Sequence, residues 1–435
     1  MNPGCRAHGQ WPLVVTARTA RTNPVGPGLA ELPAEGREPQ RTPAEGREPQ
    51  RTPAAAGEMA PTGIRTDAVK AREGRIVWPG IKLDGTAIID FSQWLPGRLC
   101  ASVLAQCGAF VIQVQSPLGD PMKALRPELC EELDTGKELI ALDLKSGKGR
   151  TKALQLVAQS SVVIEGFRAG AMEGLGLGYP VLSGARSDII LCSLPGYRRG
   201  SALARLPAHD LALEAFTGLL DVKAPARPAV SAVDLITGIA AVTGIVGALR
   251  EREASGVGAH LELALSDAGI FWSHIAHLTS STEKGGGNEI FYAADGLPFA
   301  ACILLDREWD SLWRLLADIP SVSLPAISEL PARGSAQLIG LLRDVFSTRP
   351  REYWVERLSQ AGLAARPVFS VDEALDDPYF AEMIYPRAAT VAKVAFPVRV
   401  LGDSEPRHVR GEPSFFREAR DSYSREASAG AEHDL

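Results

Sequence analysis

The sequence predicts an α/β fold, with an open Rossmann-like parallel sheet in a large domain and a smaller α+β domain. Residues 87–91 and 110–114 are short apolar runs with β-branched side chains, and a helical pattern lies between them at about 97–107. A strand, a helix and a second strand at this spacing form a βαβ unit, whose two strands must be parallel. Three later apolar runs alternate with helical patterns and extend the sheet, at 139–144, 161–165 and 189–194.

The chain has 435 residues and is too long for one simple core. Residues 1–82 are rich in Pro, Gly, Arg and Glu and contain a repeated decapeptide, so we predict a disordered leader there. We expect the first part of the large domain at 83–245, a linker and the small domain at 246–374, and a return to the large domain at 375–412. The charged, serine-rich tail at 413–435 is also expected to be disordered.

The composition argues against a nucleic-acid-binding protein, a membrane protein and a metalloprotein. The net charge of −6 disfavours a nucleic-acid partner, which normally selects a basic surface. No uninterrupted apolar run reaches the ~18 residues of a membrane span, so we expect no membrane partner. The six cysteines contain no C-x-x-C pair and no histidine stands at metal-ligand spacing beside them. We therefore expect no metal site, and reduced thiols in the cytoplasm.

Two acidic residues stand at the heads of apolar helical runs: Asp210, which follows His209, and Asp234. A helix N-terminus favours the ionised form of a carboxylic acid and places it near a surface. Helix capping is the ordinary reason for an Asp at such a position. The presence of two acids and an imidazole argues for chemistry, and both roles remain open from the residues alone.

Gly285, Gly286 and Gly287 form a run of three glycines after the helical pattern at 267–277. Consecutive glycines are costly to order, so a chain that keeps them needs either mobility or a close approach of its backbone to a ligand. A plain flexible connector and a loop that closes over a ligand both fit this run.

Six short blocks of the sequence carry a family resemblance. They are Ala141–Ser146, Glu165–Gly170, Leu175–Tyr179, His209–Asp210, Val233–Gly238 and the basic turn Arg250–Gly258. In these blocks the chain resembles the family III CoA-transferases, the group that also contains alpha-methylacyl-CoA racemase. The resemblance extends from about residue 83 to 406. It implies an interlocked homodimer with active sites between the chains, an acyl-CoA and a carboxylic acid as substrates, and no metal or redox cofactor.

The resemblance also implies roles for the two acids. In the transferases, an Asp matching Asp210 attacks the donor thioester, and a mixed anhydride and then an aspartyl-CoA thioester follow. In the racemases, residues matching His209 and Asp234 exchange the α-proton of an acyl-CoA from opposite sides. The segment 213–218 is closer to the transferase pattern, which favours CoA transfer. The glycine run 285–287 matches the loop that closes over the transferase acid.

The chain departs from the family pattern in the expected CoA pocket. By position, Arg168 and Lys137 are the residues expected to bind the CoA phosphates. Gln113 and Gln115 stand where Lys and Glu are usual, and the segment that begins at Asp134 lacks an Arg that normally joins the Lys. These differences leave a third interpretation, a catalytically silent paralogue that binds acyl-CoA or acts as a scaffold.

Overall fold

The computed structural model describes residues 75–77, 83–280, 287–319, 331, 335–385, 393, 394, 397 and 407–409. All of them lie in one compact unit, Thr66–Leu435. The tail predicted at 413–435 lies outside the described residues. So does the predicted leader, except for a short strand β1 (Arg75–Val77), which was not expected in that segment.

A six-stranded parallel sheet forms the centre of the large domain. Its strands are β2 (Ala87–Asp90), β3 (Phe110–Gln115), β4 (Glu138–Ala141), β5 (Val162–Glu165), β6 (Ile190–Ser193) and β7 (Ala259–Glu262). They lie in the order β4-β3-β2-β5-β6-β7, and every neighbouring pair is parallel. This is the strand order of a Rossmann-type sheet, and it confirms the predicted fold class.

Helices cover both faces of this sheet. They are α1 (Leu95–Gln106), α2 (Pro121–Leu125), α3 (Pro127–Leu133), α4 (Gly147–Val157), α5 (Ala171–Gly174), α6 (Tyr179–Ala185), α7 (Asp210–Thr217), α8 (Ala232–Ser255) and α9 (Leu265–Ser280). Successive residues of a strand point to opposite faces. Accordingly Ile88 packs into the core layer shared with α1 and α8, whereas Ile89 packs into the layer shared with α4 and α6.

The first part of the large domain extends beyond residue 245, where we predicted its end. Helix α8 continues without a break from Ala232 to Ser255, and Ile245 within it is fully buried. Strand β7 then joins the large sheet beside β6, and α9 packs against α7 and α8. The predicted boundary was wrong because a boundary inside a long core helix leaves no mark in the sequence.

Helix α8 is the one helix among the described residues that is long and apolar enough to cross a membrane. Its buried side chains include Val233, Ala241 and Leu249, which belong to the core layer on one face of the sheet. The helix also packs along α1. These contacts identify α8 as a core helix of the α/β fold.

Gly238 lets α8 approach α1 closely. A Cβ atom at position 238 would lie 2.8 Å from the carbonyl oxygen of Pro96, whereas a Cβ atom at Gly247 in the same helix would have no neighbour within 4 Å. We expect Gly238→Ala to lower the free energy of unfolding by ~1–3 kcal/mol, because α1 must move away. The control Gly247→Ala should raise it by up to ~1 kcal/mol, since alanine favours helix. Urea unfolding measures both, and equal effects would contradict the packing argument.

The small domain is an antiparallel sheet packed on helices, as predicted for an α+β unit. Its elements are β8 (Asn288–Tyr292), β9 (Pro298–Cys302), α10 (Asp306–Ala317), α11 (Ala336–Phe346), α12 (Arg351–Gln360) and β10 (Ala364–Pro367). The strands lie in the order β10-β9-β8. Phe346 lies at the centre of the core, with ring centroids 4.7 Å from Phe291 and 5.0 Å from Trp354.

The run of three glycines is only partly described. Gly285 and Gly286 lie outside the described residues. The carbonyl oxygen of Gly287 accepts a hydrogen bond from the backbone N–H of Ile303 at 2.9 Å. A Cβ atom at position 287 would lie 1.7 Å from the Ile303 carbonyl oxygen. Gly287 is therefore fixed beside the end of β9, and a lid role depends on Gly285 and Gly286.

The C-terminal part consists of α13 (Val371–Asp376), a 3-10 turn (Pro378–Met383) and the short strands β11 (Ile384–Tyr385), β12 (Lys393–Val394) and β13 (Arg407–Val409). Strand β11 pairs with β12, and β13 pairs with β1. Because β1 contacts α1, the pair formed by β1 and β13 lies beside the large domain.

Candidate active site

The strand order of the parallel sheet reverses between β2 and β5. In open α/β sheets, ligands bind in the crevice outside the carboxyl ends of the strands at such a reversal. Strand β2 ends at Asp90 and β5 ends at Glu165. The loops that follow these two strands therefore mark the expected ligand crevice of this protein.

His209 connects helix α7 to this crevice. It precedes the first residue of α7, and its exposed ring meets the ring of Trp94 edge to face, with centroids 5.4 Å apart. Trp94 ends the loop after β2 and directly precedes α1. The start of α7 thus lies beside the loop that follows β2.

The structure brings the two predicted acids together. Asp210 is the first residue of α7, and Asp234 lies in the first turn of α8. The half-buried Asp210 carboxylate accepts a hydrogen bond from the backbone N–H of Asp234 at its Oδ1 atom, over 3.0 Å. Asp210 therefore caps α8, and the same contact fixes the orientation of its carboxylate where two helices begin.

Glu214 is a third acid in this cluster, and sequence reasoning missed it as a site residue. Its side chain is buried, and its Oε1 atom accepts the backbone N–H of Ala232 at 2.9 Å. Ser231, at the N-cap of α8, makes no capping bond with its own side chain. Helix α7 thus provides two acceptors for the first turn of α8. The spacing of four residues from Asp210 was a usable signal, because it places both acids on one helix face.

The acids affect one another's protonation. Burial raises the pKa of Asp234 to about 7, and repulsion by Asp210 and Glu214 adds to the effect. Burial also raises the pKa of Glu214, again with a contribution from Asp210. Helix N-termini favour negative charge, but three ionised carboxylates at one point repel strongly. Asp234 and Glu214 therefore take up protons at a higher pH than isolated acids do.

The raised pKa of Asp234 predicts how stability depends on pH. In the unfolded chain the pKa is near 3.8, so the folded protein holds the proton more tightly between there and about pH 7. The contribution of this group to stability is full below pH 3.8 and is lost as the pH rises to 7. Asp234→Asn should therefore exceed wild type in stability at pH 8 by ~1–2 kcal/mol, after an allowance for solvent screening. Urea unfolding at several pH values checks this, and a constant difference between the two proteins would contradict it.

Comparison with known proteins identifies the family. The model of CoA-transferase family III matches residues 83–410, which cover the two acids and both domains. The chain belongs to CoA-transferase family III. A relative from Acetobacter aceti named acetyl-CoA:oxalate CoA-transferase is 28% identical over 76% of this chain and 92% of its own length. A succinyl-CoA:mesaconate CoA-transferase from Haloarcula hispanica is 27% identical over 68% of this chain and 83% of its own length.

Solved structures agree with this assignment. The hypothetical protein Rv3272 from Mycobacterium tuberculosis superposes with a TM-score of 0.65 at 25% identity, over 74% of this chain and 94% of its own. A CaiB/BaiF family protein from Brucella suis shares the fold, with a TM-score of 0.66 at 23% identity over 78% of this chain and all of its own. The family match and the named relatives show that this chain is an enzyme of the CoA-transferase class, and the solved structures show that it shares their fold.

Lys137 does not lie where a CoA phosphate could reach it, and this corrects the prediction from sequence. Its ammonium group is fully buried, donating to the carbonyl oxygen of Arg98 at 2.9 Å and to Oε1 of Gln113 at 3.2 Å. The Asp90 carboxylate lies 4.0 Å away. Burial lowers the pKa of Lys137 to about 8. In this family III chain Lys137 is a structural residue of the core.

A buried polar network explains the positions that differ from the family pattern. The guanidinium of Arg98 is fully buried and binds both oxygens of Asp134, at 2.7 and 2.8 Å, and Oδ2 of Asp120 at 2.7 Å. Gln113 donates to the carbonyl oxygen of Ser92 at 2.8 Å. Gln115 lies 3.5 Å from the Asp120 carboxylate. Each of these residues therefore has a polar partner inside the large domain.

Arg168 remains a candidate for binding CoA phosphates. It is exposed in the loop after β5, at the crevice, and it forms no ion pair with any described residue. Among the residues that the structure describes, no group of three or more His, Cys, Asp or Glu side chains is arranged to hold a metal ion. Of the residues predicted for the site, the structure thus places Arg168 in the loop after β5 and joins Asp210 to Asp234 by a hydrogen bond.

Proposed function

We propose that this enzyme moves CoA from an acyl-CoA thioester to a free carboxylic acid, with Asp210 as the nucleophile. The observation that carries the proposal is the carboxylate of Asp210, held by the N–H of Asp234 where α7 and α8 begin. Two helix N-termini favour its ionised, nucleophilic form. A carboxylate held in line with a thioester carbonyl is a competent nucleophile.

The chemistry is a sequence of acyl exchanges. The Asp210 carboxylate attacks the donor thioester carbonyl, the carbon–sulfur bond breaks, and a mixed anhydride and the CoA thiolate form. The thiolate then attacks the aspartyl carbonyl, which releases the donor acid and leaves an aspartyl-CoA thioester. The acceptor carboxylate repeats both steps in reverse and regenerates Asp210. No net proton, metal or redox cofactor enters this balance, and shelter from water protects the anhydride.

Binding groups complete the proposal. We assign the binding of CoA phosphates to Arg168, because its side chain is exposed and a guanidinium is well suited to phosphate. The resemblance gives Gly285 and Gly286, which lie outside the described residues, the role of a lid that would shelter the anhydride from water. We assign no phosphate contact to Lys137, because its ammonium group is buried.

A homodimer belongs to the same proposal. Helix α9 carries a row of exposed apolar side chains, namely Ile270, Phe271, Trp272, Ile275 and Leu278. Soluble monomers seldom expose so many large apolar groups on one helix. A second copy of the chain that covers α9 would bury them.

We also propose that the enzyme is cytoplasmic, in keeping with the free thiols of all five cysteines within the described residues.

Racemisation of an acyl-CoA is the second candidate function. The observation in its favour is the pKa of Asp234, about 7, which suits a group that gives and takes a proton at neutral pH. His209 would be its partner. The names of the curated relatives and the position of Asp210 at the helix ends favour transfer.

A transfer assay tests the proposal. The purified chain is incubated with acetyl-CoA or succinyl-CoA and a panel of free acids that includes oxalate and mesaconate, and the thioesters are separated by mass. We expect a new acyl-CoA to appear with at least one acid. Incorporation of solvent deuterium at the α-carbon of a 2-methylacyl-CoA, without any new thioester, would instead establish the second candidate.

A further inference from the structure

Trp94 leaves a large aromatic ring partly in water beside the acid pair Asp210 and Asp234. It ends the loop after β2 and directly precedes α1. The residue is 39% exposed, and its ring meets the ring of His209 edge to face. His209 directly precedes Asp210, whose carboxylate accepts the backbone N–H of Asp234 at 3.0 Å. Through His209 the indole therefore adjoins the acid pair, at the crevice that the reversal of strand order marks.

Two aliphatic side chains of α8 lie close to the start of α1. Gly238 faces α1, because a Cβ atom there would lie 2.8 Å from the carbonyl oxygen of Pro96. Leu235 and Ile239 stand roughly 60° and 100° around the helix from Gly238, on the same side of it. Both remain partly exposed, and Leu235 directly follows Asp234. The first turns of α8 therefore present aliphatic surface next to the acid pair and next to the start of α1.

The charges around the acid pair are negative. Within the described residues, no ion pair involves either acid. Burial raises the pKa of Asp234 to about 7, repulsion by Asp210 and Glu214 adds to this, and no cation opposes it. The two arginines of the loop after β6, Arg198 and Arg199, are already paired with acids. A second carboxylate on the acyl group of a substrate would add negative charge at a point that disfavours it.

We propose that the site takes a monocarboxylic acyl group with an apolar tail, which packs against Trp94, Leu235 and Ile239. The inference rests on the proposed transfer from an acyl-CoA, and it holds whichever of the two acids attacks the thioester. Ligand pockets are lined mainly by apolar and aromatic side chains, with a few polar groups that set orientation. Here the acids are the polar groups, and the tail covers apolar surface that is otherwise in water.

Calorimetry with three acyl-CoA ligands tests the inference without any turnover. A hexanoyl group has four more methylene groups than an acetyl group, and each one that is buried tightens binding about fourfold. We expect hexanoyl-CoA to bind at least ~10-fold more tightly than acetyl-CoA, and succinyl-CoA to bind no more tightly than acetyl-CoA. Equal affinities for hexanoyl-CoA and acetyl-CoA, or tighter binding of succinyl-CoA than of hexanoyl-CoA, would overturn the proposal.

Variants locate the apolar tail. Trp94→Ala should weaken the binding of hexanoyl-CoA by ~10-fold and change that of acetyl-CoA by less than about threefold, whereas Trp94→Phe keeps an aromatic ring and should retain most of the hexanoyl affinity. Leu139→Ala is the matched control, because Leu139 is 42% exposed on the edge strand β4, and it should bind both ligands as wild type does. Circular dichroism confirms that each variant is folded. Equal losses for both ligands in Trp94→Ala would contradict a contact between Trp94 and the tail.

Transfer assays separate this inference from the proposed function. With butyrate as the common acceptor, kcat/KM should be at least ~10-fold higher for hexanoyl-CoA than for succinyl-CoA. Transfer from succinyl-CoA that is as fast or faster would overturn the inference and leave the proposed function intact. If hexanoyl-CoA binds as expected but wild type transfers CoA to no acid, then the proposed function fails while the apolar acyl site stands.

Discussion

Asp210→Asn should abolish CoA transfer, with a fall in kcat of at least ~10⁴-fold, because an amide oxygen cannot form the anhydride. The substitution is nearly isosteric, and the asparagine Oδ1 atom can still accept the N–H of Asp234 that Asp210 accepts at 3.0 Å. Asparagine is also as good a helix cap as aspartate. Loss of activity can therefore be assigned to the missing nucleophile.

The controls for this variant are its stability and its affinity for CoA. The affinity for CoA should match wild type by calorimetry, and urea unfolding should show no loss of stability, because removal of the Asp210 charge relieves its repulsion of Asp234. The mass of the variant must be checked after the assay, because deamidation of the asparagine would restore aspartate and with it a false residual rate. Transfer by intact Asp210→Asn at more than a few per cent of the wild-type rate would exclude Asp210 as the nucleophile.

The second prediction with a large expected effect concerns the stability of the large domain. Arg98→Met should lower the free energy of unfolding by ~3–5 kcal/mol, because it leaves the part-buried carboxylates of Asp120 and Asp134 without the cation between them. Methionine retains much of the side-chain volume, so the loss reports mainly the charge. Because Arg98 is fully buried, its ion pairs with Asp120 and Asp134 differ from those on the protein surface.

A matched control separates burial from charge. Arg250 pairs with Glu253 at 3.4 Å on the exposed end of α8, and both side chains are mostly in water. Arg250→Met should change stability by less than ~1 kcal/mol, since exposed ion pairs contribute little. Urea unfolding at fixed pH and salt compares the two. Similar losses in both variants would contradict the view that the network around Arg98 is a structural centre of the large domain.

The sheet could be predicted from sequence because each of its strands up to β6 is a short apolar run, and β2, β5 and β6 are buried at every residue. The prediction from sequence assigned strand β7 to the linker and small domain, whereas it belongs to the large sheet. Its residues alternate between partly buried and exposed, and it follows a 24-residue helix, so the sequence does not show that it returns to the same sheet.

The two candidate acids could be picked out from the sequence for a similar reason. Asp210 and Asp234 could be found because each begins an apolar helix, and the structure joins them by a hydrogen bond. The burial of Lys137 could not be predicted from the sequence in this way. Its burial depends on Asp90 and Gln113, which come from two other strands, and only the folded sheet brings these residues around one ammonium group.

The most direct test of the central claim is to identify the residue that forms a covalent thioester with CoA. The protein is mixed with acetyl-CoA or succinyl-CoA, and the reaction is quenched in acid during turnover. The protein is then digested, and its peptides are analysed by tandem mass spectrometry. We expect the mass of CoA on the peptide that contains Asp210, with fragment ions that assign it to this residue, and no such adduct in Asp210→Asn. A covalent adduct on another side chain, or rapid transfer with an unmodified Asp210 peptide at every time point, would contradict the account.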